Sequence, residues 1–268
     1  MSKEKELVQQ QFGANAAAYL TSTVHAKGAS LARLVELVMP GKSWVALDVA
    51  TGAGHTAAAF APHVARVVAS DLTPEMLVQV KKLAAEKGYA NMETTIADAE
   101  KMPFPDRSFD LVTCRIAPHH FPNISLFLAE THRVLKPGGI FALVDNVSPD
   151  PETTPGFSKT ELRDAALGYN AFEKVRDPSH GRALATAEWL ELIEDTGLKL
   201  RHREHAPKAM DFASWVTTMQ VPAATIPRLK SMLEDAAPAL KAFLKPAMVD
   251  GKLGFTLDEL IAIAERPV

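Results

Sequence analysis

Asp48-Val49-Ala50-Thr51-Gly52-Ala53-Gly54 follows directly on the apolar residues Val45-Ala46-Leu47. The order is a strand, a tight turn and the start of a helix. Without side chains, Gly52 and Gly54 let the backbone turn sharply and let a ligand approach bare amides at the positive end of a helix. A nucleotide-type binding loop has this form, and so does an ordinary strand-to-helix turn, so the loop alone leaves both readings level.

The flanking chain narrows the fold. Strand-like runs at 44–49, 64–69, 92–96, 109–114 and 140–146 alternate with helical spacing at 54–61, 74–87 and 125–135. Two further helices, 5–19 and 27–39, come first, and Pro40-Gly41 stops the second. At 74–87 the start is marked by Thr73, whose hydroxyl suits a cap, and by Pro74, whose ring suits a first turn. Strict alternation of strand and helix predicts a doubly wound, mostly parallel α/β sheet of seven strands, Rossmann-like.

Beyond Asn146 the pattern breaks at Ser148-Pro149-Asp150-Pro151, which cannot continue a central strand. Leu162, Ala165, Ala166, Tyr169, Phe172 and Val175 then recur at helical spacing. A helix at 188–196, a strand at 198–205, proline-broken helices over 211–247 and a closing strand at 259–265 complete the reading. We expect one domain over 1–268, with an N-terminal helical lid at 1–43 and a cofactor-binding core at 44–147. Helical insertions at 148–185 and 211–247 are expected to cover an acceptor pocket.

Composition limits the partners. The 268 residues are 47% hydrophobic and 23% charged, enough for a large core, and the net charge is −3 with both signs interspersed. No basic run marks a nucleic-acid surface. No stretch approaches the roughly 20 apolar residues of a membrane span, and the charged start, Met1-Ser2-Lys3-Glu4, lacks a leader pattern. A cytoplasmic protein acting on a small molecule, as a monomer or homodimer, is expected. The single cysteine, Cys114, sits in an apolar run and reads as core.

Asp71 ends the second strand seventeen positions after Gly54, where an acid in such sheets accepts from ribose hydroxyls; capping the helix that follows is the rival role. Four passages then carry a resemblance: the loop from Asp48 to Gly54, Ile96-Ala97-Asp98-Ala99 running into Met102-Pro103-Phe104, Pro105-Asp106-Arg107-Ser108-Phe109-Asp110, and Leu135-Lys136-Pro137-Gly138-Gly139. Together they resemble the class I S-adenosylmethionine-dependent methyltransferases, within them the small-molecule group that includes the ubiquinone and menaquinone C-methyltransferases. The likeness is dense over 45–146 and thin after 147. It implies that Asp48, Ala50, Gly52 and Gly54 surround the methionine part of S-adenosylmethionine and that Asp71 holds its ribose. Leu72 and Met76 would face the adenine, Asp98 and Ala99 would meet its edge, and Arg115 would touch the cofactor through its backbone. Tyr19 and His25, on the lid, complete the cofactor set, Tyr19 reaching the carboxylate; Phe12 on the same helix reads equally as packing. S-adenosylhomocysteine would be the product, and no metal is expected.

Methyl transfer is an in-line displacement, so the protein must chiefly position the acceptor and exclude water. A protic acceptor also needs a base. His120 and His119, just past the fourth strand, are the catalytic candidates, with hydrogen bonding within the loop as the rival role. Asn146, Arg176 and His180 are candidates for the acceptor pocket; an Arg176–Asp177 ion pair that merely orders the loop is the competing reading. A halide or thiol acceptor, a repurposed fold that binds without turnover, and more distantly a nicotinamide enzyme are the alternatives.

Overall fold

The computed structural model describes residues 2–21 and 28–268, and of residues 18–21 the backbone only. Helices α1 (Lys3–Thr21) and α2 (Ala29–Val38) precede β1 (Val45–Val49), and α3 (His55–Phe60) follows it. Then come β2 (Arg66–Asp71), α4 (Pro74–Lys87), β3 (Met92–Ile96), β4 (Phe109–Arg115), α5 (Ile124–Val134) and β5 (Leu135–Asn146). The second half supplies α6 (Lys159–Arg176), α7 (Thr186–Asp195), β6 (Lys199–Asp211), α8 (Phe212–Thr218), α9 (Ile226–Glu234) and α10 (Pro238–Leu244). A hairpin of β7 (Ala247–Val249) and β8 (Lys252–Glu265) closes the chain.

The main sheet runs β3-β2-β1-β4-β5-β8-β6, with β7 paired to β8. β1 to β5 are parallel to one another, and β8 enters antiparallel between β5 and β6. The alternation seen in the sequence therefore yields the expected doubly wound sheet. Its central strands are apolar on both faces because helices cover both. Leu47, Val68, Val112 and Leu143 point into one core, while Ala46, Val67, Leu111 and Ala142, their neighbours along the same strands, point into the other. Cys114 is fully buried among the first set. A third cluster, built from Tyr169, Phe172, Trp215, Phe243 and Phe255, ties α6, α8 and α10 to the β8 hairpin.

Several expectations needed correction. The Leu135–Gly139 turn is the start of β5: Phe109 pairs with Leu135 and Leu111 with Ile140, so Lys136 to Gly139 bulge opposite Asp110, whose carboxylate holds Lys136 Nζ at 2.8 Å. β6 extends six residues past the expected end at His205 and tolerates Pro207, because it lies at the sheet edge and pairs only with β8. β8 starts at Lys252 rather than 259, and β7 was missed; β7 depends on pairing with β8, and the first half of β8 on pairing with β7 and β6, which no local periodicity reports. Thr73 makes no side-chain cap on α4. The Asp71 carboxylate takes the Thr73 amide instead, at 2.8 Å.

Candidate active site

The order of strands reverses between β1 and β4, and in such sheets the crevice at the carboxyl ends beside that reversal is where ligands bind. Here a cleft opens along the ends of β1 to β5, roofed by α1 on one side and α6 on the other. Two non-glycine residues that leave these strands, Ala50 (φ 50°) and Ile116 (φ 53°), adopt left-handed backbone, and both line the cleft. Strain of this kind costs of order 1–3 kcal/mol each and gathers at functional sites.

Asp48 organises the loop from below. Its carboxylate accepts from Thr51 Oγ1 at 2.5 Å, Thr113 Oγ1 at 2.7 Å and the Ala57 amide at 3.0 Å. Burial drives its pKa up to about 6 against the pull of these donors. It is 2% exposed and does not line the cleft, so it shapes the loop that Ala50, Gly52 and Ala53 present. Gly54 does not line it either: with φ at 90°, its Cα faces Val80 of α4, whose Cγ atoms stand 3.1 and 3.2 Å from where a Cβ would sit. Gly52, with φ at 55°, has open space in the corresponding direction.

At the end of β2 both carboxylate oxygens of Asp71 accept backbone amides, Gly52 N at Oδ2 and Thr73 N at Oδ1, each at 2.8 Å. The acid thus clamps the glycine loop to the helix start. Burial still raises its pKa, opposed by those amides. Leu72, Met76 and Ala99 line the adjoining wall. Asp98 is bridged by α1: Lys5 Nζ lies 2.6 Å from both Asp98 Oδ2 and Glu100 Oε2, while Gln9 Nε2 donates to the Leu72 carbonyl at 2.7 Å. Neither contact is visible in the sequence, where the partners stand 93, 95 and 63 positions apart. The Tyr19 side chain and His25 lie outside the described residues.

The other side of the cleft comes from β4, β5 and α6. Arg115 is buried along the wall and donates to Thr56 Oγ1 at 3.1 Å. His119 and His120 form a short 3-10 turn with ring centroids 4.3 Å apart, and His180 stands 5.4 Å from His119. The three rings differ in their supports. His119 Nδ1 lies 2.6 Å from Asp145 Oδ1, which fixes the proton on Nδ1 and leaves Nε2 as the basic nitrogen. Burial opposes charge on His119, but the Asp145 carboxylate outweighs it and the pKa sits above the ordinary histidine value. His120 Nδ1 meets the Ser179 carbonyl at 3.1 Å; burial and then the neighbouring His119 lower its pKa to about 4. His180 Nε2 donates to Asn170 Oδ1 at 2.9 Å, and burial with the same neighbours lowers it to about 2.

Gly181 sets the distance between this turn and the insertion. Its amide donates to the His119 carbonyl at 2.9 Å, and a Cβ there would stand 2.8 Å from that oxygen. Asp177 accepts from the Ser179 amide and hydroxyl, whereas Arg176 pairs with Glu173 at 3.4 Å and lies over the Trp215 ring. The expected Arg176–Asp177 ion pair is therefore replaced by Arg176–Glu173. Asn146 lines the cleft beside Arg176 and His180. Phe12 of α1 meets His120 edge to face, its ring 5.0 Å away, so α1 touches both sides of the cleft. Glu173 was not among the expected residues. Asp145, expected beside Asn146 at the cleft, lies one layer behind it, fully buried against a partner 26 positions away.

Among the described residues, no group of three or more His, Cys, Asp or Glu is arranged to hold a metal ion, and no helix is long and apolar enough to cross a membrane.

Comparison with known proteins agrees with this architecture. Residues 47–143 match the family model described as a methyltransferase domain. The methyltransferase YcgJ of Bacillus subtilis is 34% identical over 212 residues, 79% of each chain. A ubiquinone/menaquinone biosynthesis C-methyltransferase of Brucella anthropi is 35% identical over 195 residues, 71% of this chain and 67% of its own. The crystal structure of a Bacillus halodurans methyltransferase superposes with a TM-score of 0.81 at 36% identity, covering 90% of this chain and 100% of that one.

Proposed function

The chain belongs to the methyltransferase family, and we propose that it transfers a methyl group from S-adenosylmethionine to a small protic acceptor, with His119 as the base. The observation that carries the base assignment is the His119–Asp145 contact of 2.6 Å at the cleft. When bound, the cofactor supplies an electrophilic methyl on a sulfonium whose leaving group is a neutral thioether.

The residues present fit that cofactor. The free space over Gly52 admits a ligand close against the loop backbone, and Ala50 and Ala53 keep the same stretch of loop low. Asp71 has one lone pair spent on each oxygen by Gly52 and Thr73, and a carboxylate has about four acceptor sites, so two remain for ribose hydroxyls. Leu72, Met76 and Ala99 offer an apolar slot for a flat ring, and Asp98 an acceptor at its edge. Asp48 and Gly54 act one layer back, holding the loop in shape. Titration calorimetry with S-adenosylhomocysteine tests the donor side: saturable binding at one site is expected, and its absence would overturn the proposal. In the same titration Asp71→Ala should weaken binding by about 1–3 kcal/mol, through unpaired ribose hydroxyls and loop amides. Unchanged affinity would remove Asp71 from the site.

On the acceptor side, His119 Nε2 takes the proton as the acceptor's lone pair forms the new bond, and Asp145 stabilises the imidazolium that results. Of the three histidines it has the closest carboxylate, Asp145 at 2.6 Å, whereas His120 Nε2 stands 3.9 Å from Asp177 Oδ2. His120, with its pKa near 4, stays neutral and is a poor base; its ring, edge-on to Phe12, instead closes the chamber against water. A halide or thiolate acceptor needs no such base, which is why the dyad favours a protic one. Glu173, Arg176 and His180 from 148–185 and Met219 from 211–247 line this half and shape its specificity.

A further inference from the structure

The acceptor half of the cleft has an uneven polar lining. Glu173 of α6 is 4% exposed and lines the chamber; its Oε2 has one long bond, to Arg176 Nη1 at 3.4 Å, and its Oε1 has no partner. Arg176 is drawn the other way, donating through Nε to the Trp215 carbonyl at 3.2 Å and stacking over that indole. Across the chamber Asn146 Oδ1 is also buried without a partner, and behind it so is Asp145 Oδ2. The rings opposite are not donors to these atoms: His120 and His180 spend their protons on Ser179 and Asn170. The remaining wall, Phe12, Phe121 and Met219, is apolar or aromatic. Buried acceptors left unpaired are costly, so a molecule that brings donors to them binds more tightly than one that does not.

We infer that Glu173 is a specificity-determining residue, and that the methyl acceptor is an aromatic or similarly flat molecule with two adjacent protic groups. One group is deprotonated at His119 and the other donates to Glu173 Oε1, assisted by Asn146 Oδ1. The inference rests on the reading of this chamber as the acceptor site. It goes further in stating what the acceptor must carry: a second N–H or O–H that is not itself methylated. A molecule with only the reacting group would leave the Glu173 carboxylate buried and half-bonded.

Three probes of similar size separate the cases: catechol with two donors, phenol with one and anisole with none. Their binding to the protein saturated with S-adenosylhomocysteine, measured by calorimetry or ligand-observed NMR, should fall in that order, with about tenfold between catechol and anisole. In Glu173→Leu the three affinities should converge, while Glu173→Gln, which keeps an acceptor oxygen, should preserve part of the order. Retained S-adenosylhomocysteine binding by each variant shows that it is folded; should Leu fail this control, the Gln variant and the unaltered protein decide. Equal affinities for the three probes, no binding of any of them, or an unchanged order in Glu173→Leu would each overturn the inference. Loss of S-adenosylhomocysteine binding by the unaltered protein would instead bring down the proposed function, and the two failures are read in separate titrations.

Discussion

Replacing Asp145 by Asn should lower the pKa of His119 from above the ordinary histidine value to below it. Two opposed influences set the wild-type position: burial of the ring disfavours the imidazolium, and the carboxylate 2.6 Å from Nδ1 favours it more strongly. Asparagine keeps the size and an acceptor oxygen for the Nδ1 proton but removes the charge, so burial is opposed only by the smaller pull of Glu173 and Asp177. A base works only when neutral, and a group with a raised pKa becomes neutral late as pH rises. In the wild type the acid limb of kcat should therefore lie above the usual histidine range, and in Asp145→Asn it should move to lower pH. At the plateau the variant should be about 100-fold slower or more, since it is a weaker base with less to stabilise its conjugate acid; general bases contribute about 10²–10⁴ in rate. NMR titration of the His119 Cε1 proton reads the pKa without any acceptor. An unmoved pKa would separate Asp145 from His119 chemistry altogether.

Gly181→Ala should damage the acceptor side while sparing the donor side. The added Cβ would sit 2.8 Å from the His119 carbonyl oxygen, a contact between backbone atoms that no rotamer change relieves. The loop and the histidine turn must part, and the bonds from the Gly181 and Arg182 amides to that carbonyl, at 2.9 and 3.0 Å, weaken with them. Overpacking of this sort costs about 1–3 kcal/mol in stability. Displacing a base by a fraction of an ångström is felt strongly in rate, so kcat should fall about 10- to 100-fold. S-adenosylhomocysteine affinity should stay within about twofold, because Gly52, Asp71 and Asp98 sit on other strands. A matching loss of cofactor affinity would show instead that the two halves move as one.

The limits of sequence reading follow the same division. α4 and β3 lie where the sequence predicts them, because each carries its signal locally: proline in the first turn of one, the β-branched run Thr94-Thr95-Ile96 in the other. β7, the first half of β8 and the continuation of β6 through Pro207 were missed, since a strand at a sheet edge is defined by its partner. Lys5 could not be matched to Asp98 or Glu100, for the same reason. Asp48 and Gly54 were recognised as belonging to the loop, yet their positions below it, packed against Thr113 and Val80, emerged only when the neighbouring strand and helix were in place.

The sequence by itself determined the doubly wound sheet and the strand-end residues on which the proposed donor side rests. Each of those elements is a strand end and the turn that follows it, and parallel hydrogen-bond register brings successive strand ends to one edge without further instruction. Only the tertiary structure decided which histidine is most closely backed by a carboxylate, and that Glu173 faces the chamber with an unpaired oxygen. It also revealed how closely Gly181 approaches the His119 turn. Those relations join β4, β5 and α6 across stretches of chain that no periodicity connects, and they are fixed by packing of the third aromatic core against the sheet.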